Sequence, residues 1–290
     1  MRKIILITLG MMIGAGASAA DLATIKARGY LVVATPEDGP PFGGGTAGQD
    51  GGFDTALLAD LHRTAGIEIR PLATPRRGLL AAVIEGRADI AVGGIEIASD
   101  RENLIAFSRP LADAAATYLF RHDDTHIHGI ADLDGRPFGT LAGNGAFTSL
   151  AQLEFRLAKS GGHLGSPVEF ATSAAGTDAL GQNKIDYLIE PAAVADWLVS
   201  ATPDRLSRGE TLSSATYFAW AFKRDNGELQ TWLGKFFDGE AASGALAKLQ
   251  TASFGRAYPD IPATWDAQDW WYARKDRPIH FPVPGNGEPD

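Results

Sequence analysis

ADIAVGGIEIASDR, residues 88–101, decides how the chain is read. After Asp89 the run to Val92 has no polar face, which suits a strand buried on both sides in a parallel sheet. Two glycines follow at 93 and 94, then a carboxylate at Glu96 among apolar neighbours and a guanidinium at Arg101. In open α/β sheets, ligands sit at the carboxyl ends of strands, near helix N-termini. The stretch therefore predicts a buried strand ending at Val92, a glycine exit, and a helix that starts at Asp100 with Ser99 as its N-cap. The fork of Arg101 suits a carboxylate held in a bidentate pair. The other reading of the same spacing is a surface arginine paired with Asp100 or Glu102.

Outward from this stretch the pattern alternates. Gly29–Thr35 is a β-branched run, and 54–65 puts Leu57, Leu58, Leu61 and Ala65 on one helical face before a stop at Gly66. A second strand is expected over 67–72 and a helix over 76–85. Strand, helix, strand, helix, strand marks an open α/β sheet. The pattern restarts after the turn at Asp132: strands over 168–171 and 185–189, and helices through Leu157, over 175–182 and from Pro191 to Val199. Two aromatic strands, 116–121 (ATYLFR) and 215–224 (ATYFAWAFKR), lead into and out of this second unit. They predict two α/β lobes joined by two crossovers above a cleft, with helices over 227–237 and 241–249 returning to the first lobe. The lobes expected are 21–116 with 222–255, and 117–221 including the crossing strands. A C-terminal extension, 256–290, carries Trp265, Trp270, Trp271 and Tyr272.

Composition narrows the function. Arg2 and Lys3, an apolar run too short for a membrane span, and Ala17-Ser18-Ala19 have the order of an export signal over 1–20, cleaved near Ala19 or Ala20. Without Arg2 and Lys3 the chain carries 24 basic and 35 acidic residues, a net charge of −11 that repels nucleic acid and anionic lipid. The absence of cysteine excludes disulfides, thiol catalysis and thiolate metal sites. No nucleophile elbow, zincin helix or P-loop is present. His122, His126 and His128, beside Asp123 and Asp124, have the chemistry of metal ligands, but they read as a solvated loop. No cofactor or metal is expected.

Other candidates flank the cleft. Gly143-Asn144-Gly145 opens a helix whose free N–H groups could accept an anion, or it is simply a strand–helix turn. Phe42, after Pro40-Pro41, either stacks on a ligand or fills a core edge. Arg76 and Arg77 either reach the cleft or face solvent, and solvent is the favoured reading. A buried Glu96 would need a partner, either a ligand donor or Arg101.

In this order and spacing several motifs together resemble the bacterial extracellular solute-binding proteins of family 3. They are Pro40-Pro41-Phe42, Gly52-Phe53-Asp54, Glu85-Gly86-Arg87-Ala88-Asp89-Ile90, Ile97-Ala98-Ser99-Asp100-Arg101, Phe107-Ser108-Arg109-Pro110, Asp132-Leu133-Asp134-Gly135, 223–229 (KRDNGEL) and Phe254-Gly255. The resemblance implies a periplasmic-binding-protein-like clamp of two open mixed sheets. It also implies a monomer that closes on an amino acid or related amine or carboxylate in the periplasm and hands it to the membrane permease of an ABC importer. It implies that Arg101 and the N–H groups around Asn144 and Gly145 hold a ligand carboxylate, and that Phe42 packs on the ligand. An acid after the strand at 185–189 would take the ligand ammonium. Glu190 is the nearest, with Pro191 at the expected place. At Gly94 and Glu96 small hydroxyl residues are usual, so the amino-acid assignment is the part left open. Two other readings of the fold are a cyclohexadienyl-dehydratase-like enzyme, with Glu96 or Glu190 as general acid, and an accessory protein of a periplasmic dehydrogenase.

Overall fold

In the computed structural model, which describes residues 21–37, 39–43, 51–98, 103–142 and 146–264, a short helix, α1 (Leu22–Arg28), opens the chain. The Asp21 carboxylate caps it, accepting from the Thr24 N–H at 2.7 Å. The chain then builds β1 (Tyr30–Pro36), α2 (Phe53–Ala65), β2 (Glu68–Thr74), α3 (Leu79–Ile84), β3 (Ile90–Glu96), β4 (Ile105–Phe107) and β5 (Ala112–Asp113). β1 pairs in parallel with β2 and β3, as strands linked through helices must. Leu31 and Val33 enter the core on one side of the sheet, while Ala34 enters the other.

The second unit holds β6 (Ala116–Arg121), β7 (Phe138–Leu141), α4 (Ala146–Ala158), β8 (Pro167–Phe170), α5 (Ser173–Gly181), β9 (Tyr187–Pro191), α6 (Ala192–Ala201) and β10 (Leu206–Thr211). Its sheet runs β10-β6-β9-β7-β8, parallel among β7, β8 and β9 and antiparallel at β6 and β10. Tyr187 and Ile189 pack on one face of this sheet and Leu188 on the other. The chain returns through β11 (Tyr217–Lys223), α7 (Gly227–Ala242) and α8 (Ala245–Phe254). The fold is therefore a two-lobed α/β clamp of two mixed sheets.

The second aromatic strand differs from expectation. A boundary at 221/222 falls inside β11, which pairs antiparallel with β3, β4 and β5 and so belongs to the first sheet, ordered β2-β1-β3-β11-β4. Its side chains explain why. Trp220 and Phe222 are both about 1% exposed in the first lobe's core, a burial that only an interior strand provides. The crossings are the short segments outside the strands. There Ala114 N–H donates to the Thr216 carbonyl at 2.9 Å, Leu212 N–H to the Ala116 carbonyl at 2.7 Å, and Ala116 N–H to the Ser213 hydroxyl at 2.9 Å.

The other difference lies in the opening stretch. The strand does not end at Val92; β3 continues through both glycines to Glu96. Phe218 and Ala219 of β11 face Glu96 and Ile95, while Ala221 and Phe222 face Ala91 and Ile90. Three residues of β3, Val92 to Gly94, thus stand opposite Trp220 alone, which is a β-bulge. Gly93 and Gly94 have φ of +111° and +68°. A Cβ at Gly93 would run into the Pro36 ring, and one at Gly94 would lie 2.6 Å from the Phe42 ring.

Asp54, in the first turn of α2, holds this bulge. One carboxylate oxygen accepts from Gly93 N–H at 2.7 Å and the other from the Trp220 indole at 2.6 Å. Asp54→Asn keeps the shape but turns an amide NH2 toward one of these donors, leaving a buried donor without an acceptor. The variant is expected to lose about 1–3 kcal/mol, read as a lower urea midpoint at unchanged m-value.

Candidate functional site

The register places two strand ends at the crossings. β3 ends where Glu96 faces Phe218, and Ile97 N–H donates to the Tyr217 carbonyl at 2.9 Å. β9 ends where Pro191 faces Ala116, and Ala192 N–H donates to the Ala115 carbonyl at 2.9 Å. The carboxyl ends of one strand from each sheet thus abut the pair of segments that joins the lobes. That is where a ligand shared between two open α/β sheets would sit.

On the first lobe, the bulge sets the surface. Asp54 is fully buried, and desolvation pushes its carboxyl up to about 6, opposed by the donors of Trp220, Gly93 and Gly94 and by the charge of Arg76. It is therefore ionised at neutral pH and acts as a fixed acceptor. The Arg76 guanidinium donates to the Gly93 carbonyl at 2.6 Å. Arg76 and Arg77 are both exposed, as the solvent reading had them, but Arg76 also reaches the β3 bulge through this bond. The bulge has its N–H bound by an acid and its C=O bound by a base. Sequence reasoning quoted Asp54 within a motif without assigning it this role. The signal was an acid in a helix's first turn among residues that are otherwise core.

Glu96 is exposed, so the burial cost that sequence reasoning attached to it does not arise. Its position follows from alternation beyond the bulge: Ile95 and Ile97 point into the core, and Glu96 points out. Phe42 is 4% exposed, with its ring 4.7 Å from Phe218 and 5.5 Å from Phe254. Of the two readings given to it, the ring occupies the core-edge position, packed over Gly94. Arg101, Asn144 and Gly145 lie outside the described residues, as do Trp265, Trp270, Trp271 and Tyr272.

On the second lobe, Glu190 is 1% exposed, and among the described residues neither carboxylate oxygen has a hydrogen-bond partner. Alternation along β9 puts it on the Leu188 face. It sits near the N-terminus of α5, where the Ser173 hydroxyl only partly offsets the cost of burial. Desolvation raises its carboxyl to about 7. Among the described residues, the Ser173 hydroxyl is thus the one group that favours its charged form beside the crossing.

The histidines have other work. The His122 ring lies 3.0 Å from the Ser207 hydroxyl, and the N–H groups of His126 and His128 donate to Asp124 and Asp132. Among the described residues no group of three or more His, Asp or Glu could hold a metal ion, and no helix is long and apolar enough to cross a membrane.

This geometry is that of a two-lobed binding protein. The chain belongs to the bacterial extracellular solute-binding proteins, family 3, which it matches over residues 31–256. It is similar to a probable histidine-binding protein of Campylobacter jejuni, 23% identical over 195 residues that cover 67% of this chain and 73% of that one. It is also similar to the L-cystine-binding protein TcyJ of Escherichia coli, 28% identical over 46% of this chain and 51% of that one. Among solved structures, an ancestral cationic amino acid solute-binding protein superposes with a TM-score of 0.68 at 23% identity, over 80% of this chain and 98% of that one. The substrate-binding protein AbpA of Streptococcus pneumoniae, bound to L-arginine, superposes with a TM-score of 0.64 at 24% identity, over 81% and 98%. The chain is thus a solute-binding protein, of the kind that captures a small solute and delivers it to an ABC importer.

The Glu190 carboxyl has its own pH signature. A carboxyl raised from 4.5 in the unfolded chain to about 7 in the folded one binds its proton more tightly when folded. The stability it contributes is therefore present below pH 4.5 and is lost as pH rises through 7, an effect of about 3 kcal/mol. Glu190→Gln removes that dependence. Its unfolding free energy relative to wild type should rise between pH 5 and pH 8, and denaturant titrations at the two pH values would show it; a constant difference would contradict the burial argument.

Proposed function

We propose that the solute is an amino acid or a related small molecule carrying both a carboxylate and a protonated nitrogen. Arg101 and the N–H groups around Asn144 and Gly145 hold the carboxylate, and Glu190 takes the nitrogen. Gly94 lets the ligand approach the backbone of the bulge, with Phe42 packed beneath it, and Glu96 stands at the rim. The observation that carries this reading is Glu190 itself. A buried carboxylate that meets only the Ser173 hydroxyl among the described residues, at a strand end beside the crossings, is complete only when a cation or further donor reaches it. The histidine and cystine named for two relatives are amino acids, which supports the same class. The leader is removed near Ala19 or Ala20, the mature protein works in the periplasm as a monomer, and it docks on the membrane permease of an importer. The cleft binds without catalysis.

A panel of amino acids, amines and organic acids should produce thermal stabilisation by at least one class, growing with concentration as RT ln(1 + [L]/Kd). Binding should weaken in both Arg101→Ala and Glu190→Gln. A cation must also displace the Glu190 proton, so affinity for an amine-bearing solute should rise with pH up to about 7 and then level off. Titrations at pH 5.5 and 8 that gave equal affinities would remove Glu190 from the site.

One observation favours a second reading. A buried acid titrating near 7 is also suited to general acid catalysis, so turnover of prephenate or arogenate that vanishes in Glu190→Gln would mark a dehydratase instead.

A further inference from the structure

The two crossings are not the only tie between the lobes. α6 follows β9 in the second lobe, and Ala195 and Leu198 bury one of its faces there. Ala193 packs into the first lobe's core beside the C-terminal elements, and Val194 and Trp197 touch the cores of both lobes. The approach is close. Gly255 ends α8 at φ +79°, and a Cβ on it would lie 2.5 Å from the Ser200 Cβ.

A polar contact locks the same place. Asp196 of α6, with 9% of its side chain exposed, accepts from Arg208 of β10 at 2.9 Å and from the Tyr258 hydroxyl at 3.0 Å. Arg256 adds a longer contact at 3.9 Å. Arg208 and Asp196 both belong to the second lobe, but Tyr258 belongs to the first. Its N–H donates to the Gln250 side chain at 3.1 Å, and Gln250 in turn donates to the Leu111 carbonyl at 2.8 Å. The Tyr258 ring packs 5.9 Å from Phe254. Burial first, then Asp196, holds the phenol far from ionisation, so it stays a donor. Beside this contact, among the described residues, an open recess of about 280 Å3 lies between Asp113, Ala115, Thr211, Tyr217, Arg256 and Tyr258. The Tyr258–Asp196 bond spans the lobes beside this recess.

We propose that the Tyr258–Asp196 contact is an interlobe clasp that limits how far the cleft opens, making both side chains positioning residues for solute capture. The proposal rests on the reading that the lobes move about the crossings, and it places part of the control of that motion in residues just beyond the last helix of the first lobe.

The absence of cysteine makes the test direct. Glu85→Cys on the first lobe and Glu169→Cys on the second, both exposed sites, carry a pair of spin labels. Interlobe distances are then read by pulsed electron resonance without any solute, so the outcome does not depend on the ligand assignment. Tyr258→Phe keeps the ring and its packing, and should lengthen and broaden the distance distribution while circular dichroism stays unchanged. Asp196→Ala should do the same, and the double variant should be no wider than the broader single, because the Tyr258–Asp196 bond between the lobes is lost in each case. With whichever solute of the panel binds, Tyr258→Phe should release it about 2- to 10-fold faster, the change expected for one hydrogen bond. A distance distribution in Tyr258→Phe that matches wild type overturns the clasp. A distribution that widens while no solute binds keeps the clasp and sinks only the ligand reading.

Discussion

The buried carboxylate of Asp54 is the constraint on which the first lobe depends. It takes one donor from the β3 bulge and one from the indole of Trp220, so a single side chain joins α2, β3 and β11. β11 is also the strand by which the chain re-enters the first lobe after building the second. Removing this charge from water is costly, and only a full set of donors offsets that cost. The glycine pair is the other half of the arrangement, because a positive φ at both positions turns the N–H toward the acid and the carbonyl toward Arg76.

Glu190 shows the opposite arrangement. Asp54 and Glu190 are both buried acids with raised affinity for a proton, but one is surrounded by donors and the other, among the described residues, meets only the Ser173 hydroxyl. An acid with a full set of donors belongs to the scaffold. An acid short of donors, at the point where a strand end meets the crossings, is a group awaiting a partner. Sequence reasoning already set Glu190 apart as the acid nearest the ligand ammonium. It also gave its attention to Glu96, which the structure leaves exposed at a strand end, and treated Asp54 as one letter of a motif.

The lobes are connected more firmly than two crossings suggest. α6 belongs to the second lobe by sequence and sheet, yet it contributes to the core of the first. Any rotation of one lobe on the other must accommodate this helix, so the α6–α8 contact acts as part of the pivot. The close approach at Gly255 explains why a glycine stands there in the Phe254-Gly255 pair: a side chain would separate the two helices.

Much of the architecture was legible in the chain because hydrophobic period and glycine stops are local signals. The β1–α2–β2–α3–β3 order, the restart after Asp132 and the two aromatic strands could all be read from spacing, and the motif order pointed to the family. The end of β3 could not, because Gly-Gly reads as a stop unless a partner strand holds the bulge, and that partner is more than a hundred residues away. The same distance hid the lobe to which β11 belongs, the donors around Asp54 and the reach of Tyr258 to Asp196. Periodicity reports which face of an element is apolar; only packing decides what that face meets, and whether a buried charge finds its donors.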